Sequence, residues 1–179
     1  TELNLRLGGD SFLNTQYSPM LVDFETLPDD SRIWIYQSNR KFTEEEISNL
    51  SDKLAVFLSQ WTAHGADLEA GFEIKHQRFI VIGLNQTNAS ASGCSIDASV
   101  HFIQQLQKEF EVDLLDKMNV TFYTGQFIAY KTLADFKTMA KSGAVSLNTV
   151  VFNNLVNTKI EYLENWEVPA SESWHRRFF

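Results

Sequence analysis

A single cysteine, Cys94, stands in 179 residues, so no internal disulfide can form and a cytoplasmic setting is the expectation. Asn-x-Ser/Thr matches such as those at Asn85, Asn88 and Asn119 carry too little specificity to weigh against it. No run of about 18 apolar residues occurs, which excludes a helical membrane span. Positive charge is short as well: 15 Lys and Arg against 23 Asp and Glu leave a net charge of −8, and the sole basic cluster is His175-Arg176-Arg177. Nucleic-acid binding needs a basic stripe, and an anionic membrane surface repels such a chain, so neither partner is expected. Gly-x-x-x-x-Gly-Lys-Ser/Thr is absent, so there is no P-loop. Internal repeats are absent, and His, Cys and carboxylates are too few at ligand spacing for a metal site. Nothing names a cofactor, and a homodimer is compatible with the chain.

What is present is the composition of an ordinary globular chain, 44% hydrophobic and 21% charged, at a length that supports one domain with a sizeable core. Residues 1–19 read as an N-terminal arm, polar with a Gly8-Gly9-Asp10 turn, and residues 20–179 as a single α+β domain. Arg32-Ile33-Trp34-Ile35-Tyr36 and Phe79-Ile80-Val81-Ile82 are short, aromatic or β-branched, and apolar on both faces, as central strands are. Between them, Thr43 and Glu46 form a capping box for a helix whose stripe runs Ile47, Leu50, Leu54, Phe57, Leu58, Trp61, with Gly65 as its stop and His64 as a partner for its C-terminal dipole. Leu68, Ala70, Phe72 and Ile74 alternate with Glu69, Gly71, Glu73 and Lys75, a half-buried strand followed by a two-residue turn at His76-Gln77. A second helix covers about 95–110 and another strand Val120–Tyr123.

The order from Arg32 to about Thr124 is β-α-β-β-α-β, which predicts a ferredoxin-like core over 32–124 with a C-terminal α/β extension over 125–179. Strands 32–36 and 79–84 are expected to be adjacent and parallel. Parallel neighbours send their outgoing loops to the same end, so Gln37, Ser38, Asn39 and Arg40 should face the 85–95 loop with Ser92, Gly93 and Ser95. Two helix N-termini would then point at the gap, with Arg40 as the partner of an anion or, alternatively, of the Glu44–Glu46 run. In the extension, Thr132 with Asp135 and Thr158 with Glu161 resemble helix caps, Leu147–Phe152 reads as a strand, and Trp174 and Phe178 read as packing anchors. That extension is placed as a lid over Cys94.

Around Cys94 the chain gathers a thiol, a carboxylate and an imidazole. On a helix at roughly 100° per residue, Ile96, Val100, Ile103, Leu106 and Phe110 make an apolar stripe, while Cys94, Asp97 and His101 share the opposite face. With Ser92 as N-cap, Cys94 falls in the first turn, where the dipole favours a thiolate; with Ser95 it falls just outside.

Trp34-Ile35-Tyr36-Gln37-Ser38-Asn39-Arg40, Ala63-His64-Gly65, Arg78-Phe79-Ile80-Val81, Ala91-Ser92-Gly93-Cys94-Ser95-Ile96-Asp97 and Asn165-Trp166-Glu167-Val168-Pro169 resemble an uncharacterised family of small bacterial proteins. Its members are often labelled "ABC transporter ATPase". The resemblance runs from about residue 20 to the end and implies a bacterial cytosolic protein. The label implies an ATPase, for which this chain has no Walker motif. Two functions follow from the residues themselves. The first is a module binding a small anionic metabolite through loops 37–40 and 85–95. The second is a Cys94-dependent enzyme with His101 as base and Asp97 orienting it.

Overall fold

The computed structural model describes residues 21–179, and the expected arm over 1–19 lies outside the described residues. β1 (Arg32–Gln37) leads into α1 (Glu44–Ser59). The capping box forms as the sequence predicts: Thr43 Oγ1 accepts from the Glu46 N–H, and the Glu46 carboxylate accepts from the Thr43 N–H. Leu50, Leu54 and Leu58 turn inward at intervals of four. The helix then stops earlier than expected. β2 (Thr62–Ala63) and β3 (Ala66–Asp67) form a small hairpin, with His64 and Gly65 as its turn at φ 52° and 76°. Two consecutive left-handed residues match the twist of a two-residue hairpin, so His64 sits in a turn and not at a helix end.

β4 (Glu69–Lys75) and β5 (Phe79–Asn85) pair antiparallel across a turn at 76–78 in which His76 and Gln77 are both left-handed. β5 inserts between β1 and β4 and is antiparallel to both. The expected parallel pairing of 32–36 with 79–84 is therefore wrong, and the reason is geometric. The α1 crossover returns the chain parallel to β1, and a tight turn reverses it. A strand hairpinned to β4 and lodged between β1 and β4 must oppose both. Apolar residues on two faces report that both faces are covered; they carry no information on direction.

α2 (Gly93–Phe110) follows, then β6 (Asn119–Thr124), β7 (Phe127–Thr132), α3 (Leu133–Ser142), β8 (Val150–Phe152), α4 (Lys159–Asn165) and β9 (Glu167–Pro169). Thr132 caps α3, and Thr158 with Glu161 boxes α4. β6 does not complete the first sheet. It joins an antiparallel sheet of order β7-β6-β8-β9. The free edge of β1 is met by residues 157–158, where the Ile33 N–H donates to the Asn157 carbonyl at 2.8 Å and Arg32 bridges Thr158. The α+β class stands. Among the described residues the first sheet keeps a split β-α-β unit and has three strands, without the fourth of a ferredoxin-like sheet.

Side-chain alternation gives each sheet two covered faces. Ala70, Ile80, Ile82 and Leu84 face α1 and α2, whereas Ile33, Phe79 and Val81 face Phe152, Tyr162, Trp166, Tyr123 and Ile128. The other face of the second sheet, with Val120, Phe122 and Val151, packs on Phe136 of α3 and on the C-terminal turns. The two sheets thus lie between α1/α2 and α3. Gly71 and Gly83 are cross-strand partners, and the Val22–Leu27 segment lies over them. Gly71 was expected on an outward face; its missing side chain is what lets that segment lie flat.

Candidate functional site

Register settles the fate of the paired loops. Arg32 pairs with Leu84 and Gln37 with Phe79, so loop 37–40 and loop 85–95 leave opposite ends of the first sheet. Loop 37–40 is instead a joint between the sheets. Gln37 is buried, donates to the Asn119 carbonyl, and accepts from Thr121 Oγ1 and Asn154 Nδ2; Asn154 in turn accepts from Trp166 Nε1. The Ser38 N–H donates to the Arg78 carbonyl, and Asn39 exchanges bonds with the Asp113 backbone. Arg40 takes the second of its two expected partners: a bidentate pair with Glu46 at 2.8 and 2.9 Å, plus a bond to the Phe110 carbonyl at the end of α2. That guanidinium, aided by the Thr43 N–H, pulls the Glu46 carboxyl down to about 2.

At the other end, Ser92 is the N-cap of α2 and Cys94 lies in the first turn. Ser92 and Ser95 bond reciprocally, with the Ser95 N–H donating to Ser92 Oγ and the Ser92 N–H to Ser95 Oγ. The buried stripe is Ser95, Ser99, Ile103, Leu106 and Phe110 rather than one beginning at Ile96 and Val100. Serine is small, and both hydroxyls return to helix carbonyls, Ser92 and Ile96. The first turns can therefore press against the protein without stranding a polar group. Trp61 exploits this closeness, its indole N–H donating to the Ser95 carbonyl at 2.8 Å.

Cys94, Asp97 and His101 are all exposed, and no hydrogen bond or ion pair joins them among the described residues. Cys94 nevertheless borders a pocket of about 510 Å³ whose remaining walls are Phe57, Gln60, Trp61, Thr62, His64, Ser92, Ser95 and Ala98. Asp97 and His101 are not among them. The covering element is thus the end of α1 with the β2–β3 hairpin, and the C-terminal tail packs far away on Phe136 through Phe178. Phe57 stacks on Phe102 at 4.3 Å and leans on Trp61, giving a firm aromatic wall. The N–H groups of Gly93 and Cys94 find no acceptor among the described residues. Space is open where a Gly93 side chain would be, so the backbone can be approached. Among the described residues no carboxylate lines the pocket. A helix start of this kind attracts anionic groups.

The sequence assigned His64 to the dipole of a helix end and did not bring it near Cys94, because loop 85–95 was expected at the other end of the sheet. The available signal was Ala63-His64-Gly65-Ala66, where glycine as the second residue of a two-residue turn favours a hairpin. His76, expected as an exposed turn residue, is half-buried and contacts Phe79, Tyr123, Phe152 and Trp166, with Nε2 on Glu167. A further cleft, of about 540 Å³, has Tyr162 donating to Glu73, and the Lys159 ammonium donating to the Glu25 and Leu27 carbonyls. Burial, reinforced by Glu73, raises the Tyr162 pKa far above the usual phenol range. No helix among the described residues is long and apolar enough to cross a membrane, and they hold no group of three or more His, Cys, Asp and Glu placed to bind a metal. No family model, curated protein or solved structure matches the chain.

Proposed function

We propose that this protein is a binding module for a small anionic molecule, held in the pocket between the end of α1, the β2–β3 hairpin and the first turn of α2. The observation that carries this reading is the pair of N–H groups at Gly93 and Cys94 that are unused among the described residues, beside a pocket whose described lining includes His64 and Trp61 and no carboxylate. The anionic group would meet the helix start, and the remainder of the ligand the aromatic wall. Loop 37–40 has no part in it, since its side chains are engaged with the second sheet and with α1 and α2.

Cys94 is the chain's one thiol, so its alkylation rate reports directly on this pocket. A panel of carboxylate and phosphate metabolites is screened for slowing of iodoacetamide labelling. A true ligand slows labelling, and Trp61→Phe weakens that protection. A panel of which no member slows labelling refutes the assignment.

A second reading has one specific observation behind it: His64 and Cys94 reach one pocket from separate elements, as nucleophile and base do in thiol enzymes. In that reading His64, and not His101, takes the thiol proton. His64→Ala then slows labelling at neutral pH and His101→Ala does not; equal rates in all three proteins refute it.

A further inference from the structure

Arg78 follows the β4–β5 turn and is 8% exposed. Its Nε and Nη1 groups are closed off from solvent and have no acceptor among the described residues. Its main chain is fully used, the N–H donating to the Lys75 carbonyl and the carbonyl accepting from Ser38. The side chain lies near Tyr130, while Asp113 and Asp116 act on Tyr130 without pairing with Arg78. A buried guanidinium without a counter-ion is costly, and arginine is the side chain best shaped to grip an oxyanion through two N–H groups.

The surroundings extend the argument. Thr121 pairs with Tyr130 and Tyr123 with Ile128 across β6 and β7, so by alternation all four share the face turned toward the first sheet. Successive pairs on one face lie about 7 Å apart. The Tyr123/Ile128 pair, together with Lys41, His76, Gln77 and Gln126, lines an open cleft of about 340 Å³. Its polar lining is Lys41, His76, Gln77, Tyr123 and Gln126; Glu167 takes up His76 and Tyr123, which leaves an ammonium and two amides as its donors, in a chain of net charge −8. The unpaired guanidinium therefore lies one residue pair along the same seam from a cleft of donor character.

We propose that this seam is an oxyanion site, separate from the Cys94 pocket, in which a phosphate or carboxylate group enters past Lys41 and is gripped by Arg78. The test titrates inorganic phosphate and, in parallel, succinate at constant ionic strength, reading thermal midpoint and Cys94 labelling. At least one anion should raise the midpoint by linkage, and the part of that shift that depends on Arg78 should not alter the labelling rate; which one responds distinguishes phosphate from carboxylate. Arg78→Gln should weaken the responding anion by about tenfold or more, and Lys41→Ala by a few-fold. Without anion, Arg78→Gln should be no less stable than the wild type, because it removes an uncompensated buried charge. An arginine with a merely structural role would behave oppositely, losing stability and leaving the anion response intact. Should Arg78→Gln fail to fold, Lys41→Ala carries the test alone. No midpoint shift with either anion, a shift undiminished in these variants, or a slowing of Cys94 labelling that Arg78→Gln or Lys41→Ala abolishes overturns the proposal.

Discussion

Replacing Gly71 or Gly83 by alanine tests how the Val22–Leu27 segment is seated. A Cβ on Gly71 would lie 2.7 Å from the Val22 carbonyl oxygen and 3.0 Å from both N and Cα of Phe24. All three are backbone atoms, so relief requires the segment to lift. Lifting breaks the bond from the Val22 N–H to the Ala70 carbonyl, 2.9 Å, a loss of about 1 kcal/mol. Lost packing of Phe24, added to the overpacking itself, contributes about 1–3 kcal/mol more. Alanine recovers roughly 0.5–1 kcal/mol over glycine in a strand, leaving a net destabilisation of about 1–3.5 kcal/mol. On Gly83 the clashes are with side-chain ends, Leu27 Cδ1 at 2.6 Å, Phe24 Cε2 at 3.0 Å and Ile33 Cδ1 at 3.3 Å. These can rotate, so about 1–2 kcal/mol is expected. Urea denaturation followed by tryptophan fluorescence gives both values. A Gly71→Ala protein as stable as the wild type, or more stable than Gly83→Ala, refutes the reasoning.

Two predictions concern pH. The Glu46 carboxyl ionises near 2 when folded, against an ordinary 4.5, so the Arg40 pair stabilises above about pH 4.5 and its contribution fades as pH falls toward 2. Because the pair is partly exposed, the side chains being 41% and 24% accessible, Arg40→Gln should cost only about 1 kcal/mol at pH 7. In urea melts the gap between the two proteins should narrow as pH falls from 4.5 toward 2, down to what Arg40 gains from the Phe110 carbonyl; a gap that does not narrow refutes the assignment. His175 is 1% exposed, and burial, with help from Arg177, lowers its pKa to about 4. Unfolded imidazole takes its proton near 6.5, so between these values the unfolded chain binds more protons and stability falls with falling pH, by up to about 3 kcal/mol. His175→Gln should lose that dependence between pH 6.5 and 4; an unchanged slope counts against it.

Local chemistry was legible from the residues alone. The Thr43/Glu46 and Thr158/Glu161 boxes and the Thr132 cap formed where the spacing put them, because a cap is satisfied within three residues of itself. The inward faces of β4 and α1 followed from periodicity, and Trp174 and Phe178 pack as anchors. The α2 stripe was misjudged at Ser95 and Ser99, since a hydroxyl that bonds its own helix is buried as readily as a small apolar group.

Only the tertiary structure decided which strands became neighbours and in which direction. That choice separated Gln37–Arg40 from Cys94, brought His64 to Cys94 and left Arg78 beside β7 without a counter-ion. Gln37 shows why: its partners Asn119, Thr121 and Asn154 lie 82, 84 and 117 residues away. Periodicity and caps act over a few residues and report only that a face is covered. What covers it depends on which edges and faces remain after every other element has paired, and that competition is settled across the whole chain at once.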